Sequence, residues 1–342
     1  MSLFDTPFIA APMAGGTSTT ALVQAVGDGG GLGFLAAGYK TTEAMAAEIA
    51  AARSAGLRFG MNVFVPDPAQ LSPGPEAKAR LEAYRSELES DAQRYGAAVP
   101  PLRIDDDDAW QGKIDALLDD PVEFVSFAFG LPGASVVKAL QKAGSVVIAS
   151  VTSVEEARAA AEEGPDALVV QHRSAGAHSA AFLSQGPTGP VPGTTADLVA
   201  QVRAAVGLPL VAAGAIGDAD ALKDVLAAGA SAAQVGTALV RTDESGARQL
   251  HKDALGDPRF TATTMTRAFT GRWARSLVNG FVLDHPEAPE GYPAIHHLTA
   301  PIRAAASAAG DAHRLNLWAG TSWQSGRTGP ASDVVRGFLS GL

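Results

Sequence analysis

Cysteine is absent from the 342 residues. That excludes disulfides, thiolate nucleophiles, iron–sulfur ligation and Cys-based zinc sites, and it leaves the redox compartment open. Aromatic residues are sparse, at 6%. Basic residues are outnumbered, 26 Lys and Arg against 36 Asp and Glu, for a formal net charge of −10. Binding to a nucleic-acid backbone rests on clustered Lys and Arg, so no nucleic-acid partner is expected. One small anion held in a local pocket is still compatible with the acidic total. No window approaches the roughly 18–20 apolar residues of a membrane span, so no membrane partner is expected. The opening "MSLFDTPFIAAPMAGG" has no basic stretch, and Pro7 and Pro12 break its apolar run. No signal peptide is read there, and a soluble cytoplasmic protein is the expectation.

What the chain does contain is 46% hydrophobic residues, enough for a large core. Eight short apolar runs recur: "PFIAAP" (7–12), "LGFLAA" (32–37), "FGMNVFV" (59–65), "EFVSFAF" (123–129), "SVVIAS" (145–150), "DALVVQ" (166–171), "LPLVAAG" (208–214) and "AAQVGTA" (232–238). They are apolar on successive positions, as strands covered on both faces are. Helical segments separate them. "SVEEARAAAEEG" opens with Ser153 and Glu156 spaced as a capping box and stops at Gly164; "DADALKDVLAAGA" starts at Asp218 and runs out at Gly229. Eight such units in about 240 residues predict an α/β fold, a (β/α)8 TIM barrel, with a doubly wound open sheet as the competing architecture. Residues 66–122 are a long insertion after the third strand. Its four aspartates, 105–108, are expected as a solvated helix start rather than a metal site, because consecutive carboxylates do not converge easily on one ion. The barrel is assigned to 1–240, and 241–342 to a last barrel helix plus a cap on the substrate side.

In such a barrel the chemistry lies at the C-terminal ends of the strands, with phosphates after strands seven and eight. "AAGAIG" (212–217) and "QVGTAL" (234–239) stand at those two places, with Gly214, Gly236 and Thr237 able to bring backbone and hydroxyl donors to an anion. "APMAGG" (11–16) ends the first strand and Asn62 lies in the third. "QHRSAGAH" (171–178) follows the sixth strand and carries two histidines and an arginine.

These stretches, together with "VSFAFGLP", "VTSVEEARAA", "TDESGA", "RAFTGRWARSLVNGF" and "LWAG", spread in order over residues 8–320. In them the chain resembles the nitronate monooxygenases, FMN-dependent TIM-barrel flavoproteins formerly called 2-nitropropane dioxygenases. The resemblance implies FMN contacts from the Met13 backbone, Asn62, Gln171 and Gly176. It places the phosphate on Gly214 and on Gln234, Val235, Gly236 and Thr237, in agreement with the glycine placement. It makes His178 the active-site histidine and implies no metal. The implied reaction is oxidation of a small alkyl nitronate with O2 to a carbonyl compound and nitrite, by a monomer or homodimer. In that reaction an ordinary imidazole pKa would let His178 act as hydrogen-bond donor or as base. The alternatives are an FMN-dependent, NAD(P)H-using reductase akin to the enoyl reductases, and a flavin-binding protein without turnover. The chain departs from the family loop Glu-Ala-Gly-Gly-His at Ser174 and Ala177, and has Thr321 where Gln often follows "LWAG". His172 and Arg173 are expected as bystanders. His251, His285 and His313 are expected at the surface, and His296 or His297 as a possible cap contact with substrate.

Overall fold

The computed structural model describes residues 3–183 and 193–342. All eight apolar runs form strands: β1 (Phe8–Ala10), β2 (Gly33–Ala36), β3 (Phe59–Phe64), β4 (Phe124–Ala128), β5 (Val146–Val151) and β6 (Ala167–Gln171). After a short strand, β7 (Ala177–His178), come β8 (Leu210–Ala213) and β9 (Ala232–Val235). The order β1-β9-β8-β6-β5-β4-β3-β2 is parallel throughout. A parallel bridge between Ile9 and Leu32 brings β2 back to β1 and closes the circle. The molecule is therefore a (β/α)8 barrel, and closure rules out the open sheet. Ile9, Phe34, Phe124, Ile148, Val169 and Val211 belong to the cluster that fills the barrel. Gly60 makes room for it: a Cβ there would lie 2.3 Å from the Phe34 ring.

Helix starts follow local chemistry. Ser153 accepts from the Glu156 amide at the head of Val154–Glu163, and Asp218 accepts from Ala221 at the head of Ala219–Ala227. The Glu156 carboxylate, however, does not return to its own cap. It accepts from the Thr152 amide and hydroxyl (2.7 and 2.8 Å) and from the amides of Phe182 and Leu183 (2.7 and 3.0 Å). A side chain predicted as a local cap is instead a buried clamp on the segment after β7.

The aspartate run also differs from expectation. Asp106 and Asp107 accept from the amides of Asp108 and Ala109, and Asp108 and Ala109 both have positive φ. Asp108 pairs with Lys113 at 2.7 Å and accepts from the Tyr39 amide at 2.8 Å; Lys113 is fully buried. Asp106 meets His297 at 2.7 Å. Two of these carboxylates tie the insertion to its neighbours instead of solvating a helix end.

The C-terminal part adds strands β10 (Thr263–Thr266) and β11 (Ala274–Leu277), and β11 pairs with β7 in a three-stranded antiparallel sheet. Helix Ala294–Ala308 shares an apolar cluster with the insertion: Leu81, Tyr84, Leu88 and Ala92 pack with Phe269, Phe281, Ile295 and Leu298. Helix Ala331–Leu339 returns to the barrel, where Val335 and Phe338 pack in one cluster with Phe8 and Leu22.

Candidate active site

A cavity of about 450 Å³ opens among the C-terminal ends of the barrel strands. It brings together all ten residues singled out from the sequence: Met13, Asn62, Gln171, Gly176, His178, Gly214, Gln234, Val235, Gly236 and Thr237. His172 and Arg173 are not on its wall. His172 is buried behind it, bonded through Nδ1 to the Ser174 hydroxyl at 2.8 Å. Ser174 therefore serves the histidine that accompanies it. Its carbonyl also accepts from the Thr321 amide at 3.0 Å, so two of the family departures are neighbours.

One end of the cavity is built from backbone. Gly214 (φ 117°) and Ala215 (φ 53°) turn the chain after β8, and Thr195 fixes the turn by donating to the Gly214 carbonyl at 2.6 Å. The amides of Gly214, Ala215, Gly236 and Thr237 have no acceptor among the described residues. Four unspent N–H groups after the last two strands suit a phosphate. Gly176 supports the same end, since a Cβ there would lie 2.5 Å from the Gly320 nitrogen, whose N–H donates to Thr237 Oγ1 at 3.1 Å. The wall at β1 is apolar, from Ala11, Pro12 and Met13. Ser18 engages the Met13 backbone twice, accepting from its N–H at 2.9 Å and donating its own N–H to the carbonyl at 3.0 Å; one carbonyl lone pair is left for a ligand. Asn62 donates to the Ser126 hydroxyl and carbonyl (2.9 and 3.2 Å), which leaves its carbonyl oxygen to accept. These donors and acceptors, beside an apolar wall and an amide-lined end, fit a flavin mononucleotide.

The other end is built from side chains. β11 pairs Ala274 with His178 and Arg275 with Ala177, which fixes the histidine loop as a strand. Gln171 secures it, donating to the His178 carbonyl at 3.1 Å and accepting from Ala180 at 2.8 Å. Both polar atoms of Gln171 are thus engaged by protein, with one Nε2 hydrogen to spare. Ala177 has φ 62°, a left-handed conformation that the family's glycine adopts without strain. The His178 ring lies among Phe129, Tyr292 and Trp318, with centroids 5.6, 5.8 and 5.3 Å away. Nε2 shares a hydrogen bond with Thr270 at 2.8 Å. Burial, then the nearby charges of Arg272 and Arg303, push the His178 pKa down to about 3. It is a neutral imidazole at neutral pH, unlike the group titrating at an ordinary value that the sequence suggested.

Sequence reasoning missed His251, Ala300 and Arg303 on the wall, while His296 stands there as a cap residue. His251, expected at the surface, lines the cavity, donates its Nε2–H to the Trp318 carbonyl (2.9 Å), and has a pKa lowered by burial to about 4. His285 is also buried, paired with Asp91 at 2.9 Å, while His313 is exposed as expected. His296 stacks on Tyr39 with centroids 4.1 Å apart and lines the cavity with Ala300 and Arg303. Their spacing, i, i+4 and i+7 in "AIHHLTAPIRAAASA", is the signal that one helix face carries them. Among the described residues the formal charges on the wall are Arg248 and Arg303, and no Asp or Glu lines it.

The family description nitronate monooxygenase matches residues 2–341 of the chain. A probable nitronate monooxygenase of Staphylococcus aureus (strain MSSA476) is 34% identical over 347 residues, covering 99% of this chain and 95% of its own. Among solved structures, the nitroalkane oxidase of Streptomyces ansochromogenes superposes with a TM-score of 0.91 at 45% identity, covering 99% and 96% of the two chains. FabK from Thermotoga maritima follows at TM-score 0.73 and 22% identity, over 99% of this chain and 93% of its own, a likeness of fold alone.

Proposed function

This chain belongs to the nitronate monooxygenase family of flavin-dependent oxidoreductases, and from that premise we propose that it oxidises alkyl nitronates with O2 to carbonyl compounds and nitrite, using FMN. The observation that carries this reading is electrostatic. A neutral histidine and two arginines share a wall without a carboxylate, an environment that favours an anionic substrate.

The residues divide the work. The amides of Gly214, Gly236 and Thr237 would hold the FMN phosphate, with Gln234 and Val235 positioning that strand end. Met13, Asn62, Gln171 and Gly176 would line the ring and its side chain. Bound there, FMN would accept an electron from the nitronate and supply the path to O2. His178 faces the substrate end. Thr270 can donate to Nε2 or accept from it, which leaves Nδ1 as an N–H in one tautomer and a lone pair in the other. Opposite an anion the N–H tautomer is lower in energy, so His178 donates to a nitronate oxygen. Removing the α-proton of a neutral nitroalkane is harder here. It would create an imidazolium beside Arg272 and Arg303, from a base whose pKa is about 3. The 45% identical nitroalkane oxidase makes nitroalkanes the second reading to test.

The deciding experiment is an anaerobic absorbance titration of the purified protein with propionate-3-nitronate, nitroethane and NADPH in turn. Reduction of the flavin by the nitronate, with little response to the other two, is the expected result. Full reduction by NADPH with no response to nitronate would overturn the reading in favour of reductase chemistry. A flavin that responds to none of the three would leave a binding protein.

A further inference from the structure

Arg303 lies on helix Ala294–Ala308 with its side chain on the cavity wall and only 6% of the residue exposed. All of its recorded partners are neutral. Nε donates to the Thr299 hydroxyl at 3.2 Å, Nη1 to the Asn316 carbonyl oxygen at 3.3 Å, and Nη2 to the His296 carbonyl at 3.0 Å, with His296 Nδ1 at 3.3 Å. No carboxylate stands within ion-pair distance of it among the described residues. Burial, with Arg248 nearby, lowers its pKa to about 10, so it remains a cation at neutral pH. A buried cation surrounded only by neutral acceptors is costly to keep unless something anionic joins it. The neutral contacts hold the guanidinium plane in place and leave one Nη1 hydrogen unspent.

The surroundings extend this donor set. His296 has its pKa pushed to about 2 by burial and then by Arg303, so it is neutral. With Nδ1 turned to the guanidinium, its proton sits on Nε2, a second donor on the same helix face. Ala300, between the two in sequence, gives this part of the wall little bulk. At the rim, exposed Arg248 adds a second positive charge.

We propose that Arg303 is the substrate-anion seat of this cavity: its guanidinium, backed by His296, receives the O–N–O group of the nitronate and selects the anion over its neutral nitro tautomer. The assignment rests on nitronate oxidation at this site. Arg303 is thus a specificity-determining residue, supplying the charge that neutral His178 lacks.

Nitrate, a planar oxyanion that cannot be oxidised further, is the probe. In the wild-type holoprotein nitrate should perturb the flavin absorbance and compete with nitronate, while neutral nitroethane at equal concentration should not compete. Arg303→Met should retain flavin, weaken nitrate binding by about tenfold or more, and raise KM for nitronate more than it lowers kcat. Arg303→Lys, which restores the charge without the planar fork, should recover part of the nitrate affinity. Equal nitrate affinity in wild type and Arg303→Met overturns the proposal. So does loss of flavin from a folded Arg303→Met, which would give the arginine to the cofactor. If Arg303→Met does not fold, the wild-type competition and the Lys variant decide. Failure of the two readings is separable. Turnover of nitronate without any nitrate effect removes the seat and leaves the reaction, whereas nitrate binding without nitronate turnover leaves the seat and removes the reaction.

Discussion

His178 is held by pairing to β11 and by Gln171 and Thr270, so its position does not depend on a ligand. His178→Asn should therefore leave the flavin absorbance of the purified protein unchanged while kcat/KM for a nitronate falls by at least about tenfold, the worth of a hydrogen bond to a charged group. Unchanged turnover would remove His178 from the mechanism. The wild-type profile should also lack an inflection near the ordinary histidine pKa, because the ring is already neutral well below it. At this scale the sequence was informative about backbone and less so about charge. Glycines after the last two strands were the sequence signal for the proposed phosphate seat, since close backbone approach and positive φ favour glycine, as at Gly214. The spacing of His296, Ala300 and Arg303 puts them on one helix face but does not place that face on the cavity, and nothing local distinguishes His251 from a surface residue. Their burial follows from how the C-terminal helices cover the barrel mouth.

Glu156 shows what one side chain does between elements. Its carboxylate, 1% exposed, joins the start of helix Val154–Glu163 to the segment that leaves β7. Glu156→Gln puts an amide NH2 where one acceptor oxygen faces protein N–H groups. The expected cost is about 1–3 kcal/mol of stability, read as a lowered Tm, with nitronate turnover reduced and flavin retained. A Tm equal to wild type would show that the clamp carries no stability. The elements themselves were legible: apolar runs gave every barrel strand, and Ser153 and Asp218 marked true helix starts. The partners of Glu156 and of the 105–108 aspartates were not, since each is recruited by a residue distant in sequence, Phe182 in one case and His297 in another.

Across the whole molecule, three half-buried histidines on the cavity wall are kept neutral by desolvation: His178, His251 and His296 have pKa values of about 3, 4 and 2. The unfolded chain binds protons at these groups below about pH 6.5, and the folded chain does not until far lower. Between those values the unfolded state holds more protons, so stability falls as pH falls. Asp108 works the other way. Burial raises its pKa to about 6, so the folded state holds its proton longer, and that contribution is lost as pH rises from about 4 to about 6. His297 is lowered as well, chiefly by desolvation, so with four groups against one, Tm followed from pH 7.5 to 5 should decline. A Tm that rises on acidification would contradict the desolvated, neutral state of these histidines.

The arrangement also sets an order in time. β11, which fixes His178, and helix Ala294–Ala308, which carries Arg303, leave the ribosome after all eight barrel strands. Helix Ala331–Leu339 then packs against the start of the chain, with Arg336 donating to the Asp28 carbonyl 308 residues away. Contacts of such separation form slowly, because the loop must close before they contribute. On the proposed assignment, a growing chain sets out Gly214, Gly236 and Thr237 before Arg303 exists, and Gly320 joins Thr237 only afterwards. The two ends of the cavity are thus begun at different times in synthesis, and both are finished only by residues 241–342.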